Sequence, residues 1–224
     1  MNATLRATAL VKTYRRGPEE VVALDAVTFD VTAGEMVALV GPSGSGKTTL
    51  LNVVSGWEHA DSGTMQLAGE PYEPWRTPLP WSSLAIVPQN LGLIEDLTIG
   101  ENVTLPLRLG ADAEAGTAPE LLSRLELDGV ADRMPAGLSL GEQQRAAVAR
   151  ALVVSPALLL ADEPTGHQDA AWLVRVVEAL RAAAEKGSAC LIATHSSEVL
   201  DLVDRVLEMR DGELSEGAGA ASSV

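Results

Sequence analysis

The stretch Gly41-Pro42-Ser43-Gly44-Ser45-Gly46-Lys47-Thr48 combines residue types that together can hold a polyphosphate. It follows the apolar run Met36 to Val40 and opens a segment with helical character. Glycines let successive backbone N–H groups curl around the β- and γ-phosphates, and a helix N-terminus adds positive potential. Lys47 is placed to neutralise phosphate charge and Thr48 to offer its hydroxyl to Mg²⁺; Thr49 completes the expected nucleotide-binding set. A plain Gly/Ser-rich turn has no need of the Lys-Thr pair, so a nucleoside triphosphate is the expected ligand. A second group lies downstream, where Ala157 to Ala161 runs into Asp162-Glu163 and puts both carboxylates at the end of a buried strand. Beside a phosphate loop, Asp162 reads as holding Mg²⁺ through its water shell and Glu163 as orienting or deprotonating the attacking water.

These groups need a frame in which strands end side by side. Leu5 to Tyr14 and Val21 to Val31 read as strands separated by the turn Arg15-Arg16-Gly17-Pro18, and Thr64 to Ala68 as another short strand. The stretch from Pro71 to Trp81 holds Pro71, Pro74, Pro78 and Pro80 and excludes a regular helix. From Thr98 to about Val154 the pattern is helical, with capping-box pairs at Thr98/Glu101, Thr117/Glu120 and Ser139/Glu142. A strand at Ala157 to Ala161, a helix from about Ala170 to Lys186 and a strand at Ala189 to Thr194 then alternate. That order implies parallel strands with right-handed crossovers. A hairpin turns at Asp211-Gly212, and the small polar tail from Glu216 to Val224 reads as disordered.

Composition narrows the chemistry further. At 224 residues and 46% apolar content the chain suits one nucleotide-binding domain with a substantial core. A formal charge of −15 argues against nucleic acid as a substrate, so attraction for a polyanion must be local. Only Lys12, Lys47 and Lys186 supply ammonium groups, and one of them stands in the phosphate loop. Cys190, the sole cysteine, lies in an apolar run and reads as core filling. No export signal is evident and no apolar run approaches the roughly 18 to 20 residues needed to span a bilayer, so work at a membrane requires a partner.

The stretch Leu138-Ser139-Leu140-Gly141-Glu142-Gln143-Gln144-Arg145 resembles the Leu-Ser-Gly-Gly-Gln signature of ATP-binding cassette (ABC) proteins. With Asp162-Glu163-Pro164-Thr165-Gly166 and His195 downstream, the order fits that family along nearly the whole chain. The phrases Glu101-Asn102-Val103 and Leu105-Pro106-Leu107 look most like the ATPases of the lipoprotein-releasing and macrolide-exporting branch. The resemblance implies an α/β P-loop NTPase with a RecA-like core and an N-terminal antiparallel β subdomain. About 1–90 and 155–215 would form the core, and about 91–154 a helical signature subdomain.

The same resemblance implies roles for single residues. Tyr14 matches the aromatic that stacks on adenine, a surface-packed strand-end aromatic being the plain alternative. Gln89 matches the glutamine that reaches the Mg²⁺ and water. Ser139, Leu140, Gly141 and Glu142 match the signature that contacts ATP bound to the other subunit. Asp169 matches an acid that communicates across the dimer, and His195 a histidine on the γ-phosphate. ATP and Mg²⁺ are the implied cofactors. A transmembrane permease and a second copy, or a related ATPase, are the implied partners, at the cytoplasmic face of the cell membrane. The alternative is a regulatory ATPase that signals through a membrane partner with slow turnover. Leu140 stands where the first signature glycine is usual, His167-Gln168 where Asn-Leu is, and Ser196 where an Asp is, which implies tuned hydrolysis. The Trp-containing segment from Pro71 to Trp81 serves either as a partner contact or as local packing. Apolar Leu91, Leu93, Ile94 and Leu97 beside Gln89 form either a groove for a permease helix or ordinary core.

Overall fold

The computed structural model describes residues 3–74, 76, 79–80, 82–110, 117–166 and 170–217. Strands β1 (Ala3–Arg16) and β2 (Glu19–Thr32) form a long antiparallel hairpin, joined by β4 (Ser62–Leu67) and β5 (Glu70–Pro71) in the order β2-β1-β4-β5. The second sheet is built on β3 (Met36–Val40), β6 (Leu84–Val87), β7 (Leu158–Asp162), β8 (Ala189–Ala193) and β9 (Arg205–Arg210), all parallel. An antiparallel edge strand, β10 (Glu213–Glu216), completes the order β10-β9-β3-β8-β7-β6. Asp211 (φ 51°) and Gly212 (φ 85°) supply the left-handed pair that the two-residue turn between β9 and β10 needs.

Every residue of β7 and β8 is buried, as expected of parallel strands covered on both faces. Their alternate side chains feed separate cores. Leu158, Leu160 and Leu191, with Leu39 of β3, pack with α1 (Lys47–Ser55) and the antiparallel sheet. Leu159, Ala161, Cys190 and Ile192 pack with α4 (Leu140–Leu152) and α5 (Ala170–Glu185). Cys190 is core filling, and burial pushes its thiol up to about 12.

The helical segment holds α2 (Ile99–Arg108), α3 (Thr117–Arg124), two short 3₁₀ turns and α4. Capping boxes are present at Thr98/Glu101 and Ser139/Glu142; the Thr117 side chain lies outside the described residues. Asn102, fully buried, ties this segment to the preceding loop: its amide accepts from the Ile94 N–H and donates to the Ile94, Leu97 and Thr98 carbonyls.

Several elements differ from the sequence expectation. Strand β6 was not anticipated, because four apolar residues after a Pro-rich stretch carry no periodicity of their own. Glu216 closes β10 instead of opening the tail, and residues 218–224 lie outside the described residues. In the Pro-rich stretch, Tyr72 is buried and donates to the Val54 carbonyl at 2.9 Å, which anchors its start to the end of α1 as local packing. Trp75 and Trp81 lie outside the described residues. Leu91 and Leu93 join the core, so of the expected groove residues beside Gln89 only Ile94 lines the groove found there. The cause is local: Leu91 adopts φ 61° and Arg150 of α4 holds the Leu91 and Gly92 carbonyls at 2.8 and 2.7 Å, turning the leucines inward.

Candidate functional site

Strands β3, β8, β7 and β6 lie side by side and parallel, so their carboxyl ends form one rim, the usual ligand position in such sheets. Beyond those ends stand, in spatial order, the Gly41–Thr48 loop, His195, the Asp162-Glu163 pair and Gln89. They line a cleft of about 500 Å³, which Tyr14 of β1 and Val21 to Ala23 of β2 close on the other side.

The loop after β3 can be made only with glycine at two positions. Gly41 (φ 146°) and Gly46 (φ 111°) are left-handed, and a Cβ there would overlap the Met209 and Ala23 carbonyl oxygens respectively. The hairpin tip braces the loop, because the Gly212 N–H donates to the Ser45 carbonyl at 3.1 Å. Lys47 folds over the loop and donates to the carbonyls of Gly41 (2.8 Å) and Pro42 (3.0 Å). Ser45 Oγ is buried with no hydrogen-bond partner among the described residues. An ammonium held by two loop carbonyls, an orphaned hydroxyl and a glycine cradle fit a bound polyphosphate.

Beside the loop, Thr48 Oγ1 donates to Asp162 Oδ2 at 2.8 Å. Burial, reinforced by Glu163 and opposed by the Thr48 hydrogen bond and Lys47, raises the Asp162 carboxyl above its ordinary value. A hydroxyl and a buried carboxylate so placed are a hard oxygen donor set that suits Mg²⁺. Glu163 follows with φ 51°, a left-handed strain for a side-chain-bearing residue. Its N–H donates to Ala193 at 2.9 Å, and its carbonyl accepts from Gln144 Nε2 at 2.7 Å and the Gly166 N–H at 3.1 Å. The Glu163 carboxylate meets His195 Nδ1 at 2.8 Å; Glu163 is only 18% exposed and His195 77%, so the acid is sheltered and the imidazole faces the cleft.

Tyr14 donates its hydroxyl to Glu58, and burial followed by that hydrogen bond raises the phenol above its ordinary value. It is therefore a protonated donor throughout the neutral range. Gln89 is exposed and stands between this cleft and a neighbouring hollow.

The signature residues lie elsewhere. Ser139 caps α4: its hydroxyl accepts from the Glu142 N–H at 3.3 Å, while Glu142 Oε2 takes the Ser139 hydroxyl at 2.7 Å and the Ser139 N–H at 2.8 Å. Ser139 and Leu140 are exposed, and none of the residues from Ser139 to Glu142 lines the cleft. Asp169, with His167 and Gln168, lies outside the described residues. Sequence reasoning gave no role to Gln144, Glu58, Asn102 and Arg150: Gln144 and Asn102 stood within the family phrases, Glu58 and Arg150 in none, and neither kind of signal by itself names a partner.

A profile of the ABC transporter family matches residues 24–166. The lipoprotein-releasing system ATP-binding protein LolD of Gluconobacter oxydans is 40% identical over 225 aligned residues, covering 95% of each chain. The macrolide export ATP-binding/permease protein MacB of Rhodopirellula baltica is 39% identical over 96% of this chain, which spans 33% of that protein. Among solved structures, the dimeric post-hydrolysis state of the ATP-binding cassette MJ0796 bound to ADP and Pi aligns with TM-score 0.88 at 31% identity, covering 98% of this chain and all of that one. With the phosphate cradle, the carboxylate pair and the capped signature helix in one fold, the chain belongs to the ABC transporter family as an ATP-binding, ATP-hydrolysing cassette.

Proposed function

We propose that this chain drives a separate membrane permease and works as a dimer in which each ATP lies between the phosphate loop of one copy and the α4 N-terminus of the other. One observation carries the reading: the cleft gathers the phosphate loop, Asp162, Glu163 and His195, while the capped, exposed start of α4 stands outside it. A helix start presents N–H donors and the positive end of the helix dipole, which suits an anion, and this one is exposed at Ser139 and Leu140.

In this reading the loop amides, Lys47 and Thr49 bind the phosphates and Tyr14 stacks on the base. Thr48, Asp162 and Gln89 hold Mg²⁺, which when bound neutralises phosphate charge. Glu163 accepts the proton of the attacking water, and His195 orients Glu163 and contacts the γ-phosphate. Asp169 communicates across the dimer. The division into a core, about 1–90 and 155–215, and a helical lobe, about 91–154, belongs to the same reading.

No helix among the described residues is long and apolar enough to cross a membrane. A groove of about 350 Å³ lined by Ile86, Ile94, Leu105, Leu109 and Arg150 receives a cytoplasmic helix of the permease, which places the chain at the inner face of the cell membrane. Sedimentation of Glu163→Gln tests the dimer: association on Mg-ATP and not on Mg-ADP is expected, and monomer at saturating Mg-ATP would sink the composite site.

A further inference from the structure

Tyr14 is held from outside the cleft it lines. Its hydroxyl donates to Glu58 Oε2, and Asn52 of α1 donates to the other oxygen of the same carboxylate at 3.2 Å. The Glu58 N–H in turn donates to the Asn52 carbonyl at 3.1 Å, so the acid is tied by backbone and side chain to α1. That helix begins with Lys47, Thr48 and Thr49. A second tether reaches the same strand: Lys12 stands 5.4 Å over the Tyr14 ring and 3.7 Å from Asp61, and Asp61 Oδ2 accepts from the Thr13 N–H at 2.7 Å.

We propose that Glu58 is the positioning residue of the adenine platform, locking the Tyr14 ring to the helix that carries the phosphate-binding residues. This rests on the assignment of Tyr14 as the stacking aromatic. Glu58 does not line the cleft, and both of its carboxylate oxygens are committed to Tyr14 and Asn52. Its task is to accept the phenol hydrogen bond. Asn52 shares the load, and the ring is then fixed relative to the cradle before ATP arrives, which reduces the ordering cost of binding.

The test compares Mg-ATP with inorganic tripolyphosphate, which has no base. Glu58→Ala should weaken Mg-ATP binding about three- to tenfold, the size of one net hydrogen bond, and leave tripolyphosphate affinity and kcat at saturation unchanged. Glu58→Gln, which keeps an acceptor oxygen, should retain most of the affinity. Tyr14→Phe should lose as much as Glu58→Ala, and the double variant no more than either alone. Equal weakening of both ligands by Glu58→Ala, or full additivity with Tyr14→Phe, overturns the proposal. If Tyr14→Ala weakens Mg-ATP selectively while Glu58→Ala does not, Glu58 alone is ruled out. If Tyr14→Ala changes the two ligands alike, the stacking assignment falls and the proposal falls with it.

Discussion

Glu163 sits at φ 51° because three hydrogen bonds over-determine its backbone: two to its carbonyl, from Gln144 and Gly166, and one from its N–H to Ala193. Strain of this kind costs on the order of 1–3 kcal/mol and persists where the surroundings impose it. Replacing the carboxylate by an amide keeps that geometry and removes the base. Glu163→Gln should therefore bind Mg-ATP normally and lose about 10²- to 10⁴-fold in steady-state phosphate release. Unchanged turnover would remove Glu163 from the mechanism. Gln144→Ala frees the Glu163 carbonyl without touching the cleft lining, so it should lower kcat by up to about 10²-fold with nucleotide affinity intact. A fall in affinity equal to the fall in kcat would show that Gln144 supports the whole site and not the base. The residues that line the cleft were legible because the phosphate loop and the Asp-Glu pair are contiguous stretches whose chemistry depends on local order. Gln144, Glu58 and Arg150 were not, because each acts on a backbone or side chain brought near only by folding: Gln144 on Glu163, Glu58 on Tyr14, and Arg150 on Leu91 and Gly92.

At the scale of elements, α4 joins the signature to the site, its first residues exposed and Gln144 on the Glu163 carbonyl. The hydrogen bonds from the Ser139 hydroxyl and N–H hold the Glu142 carboxyl below its ordinary value, against a smaller desolvation effect. A folded-state pKa below the unfolded one, near about 4.3, contributes stability in full above that value and loses it as pH falls through the lowered one. The stability gap between wild type and Glu142→Ala in urea titrations should thus be full at neutral pH and shrink in acid; a constant gap would mean the carboxylate charge plays no part in the cap. Leu140 is 46% exposed at the first position of α4, so its removal costs the fold little. If its side chain holds the helix start away from a partner's phosphate, Leu140→Gly should raise ATPase activity, since donors would approach the developing charge. Flat or lower activity with folding and affinity intact would show that Ser139 and Gly141 carry the contact. Both verifiable capping boxes and the strands β7 and β8 were legible from local pattern, whereas β6 and the parallel place of β9 beside β3 depend on pairing across distant stretches.

For the whole molecule the charge of −15 becomes a constraint on assembly. Two copies closing on two ATP molecules bring like-charged bodies together, and the nucleotides add further anionic charge. In the proposed dimer the attraction expected from phosphate contacts at each composite site is short-ranged, while the repulsion acts between whole surfaces. Added salt screens the second far more than the first, since the screening length falls from about 30 Å at 0.01 M to about 8 Å at 0.15 M ionic strength. The Mg-ATP-dependent dimer of Glu163→Gln should therefore tighten as monovalent salt rises across that range, with the gain mostly in the association rate, where long-range repulsion acts. Analytical ultracentrifugation with stopped-flow association at fixed free Mg²⁺ reads both quantities. A dimer that weakens steadily with salt would mean that complementary charges across the interface outweigh the net repulsion, and that the acidic surface is kept clear of the closing faces.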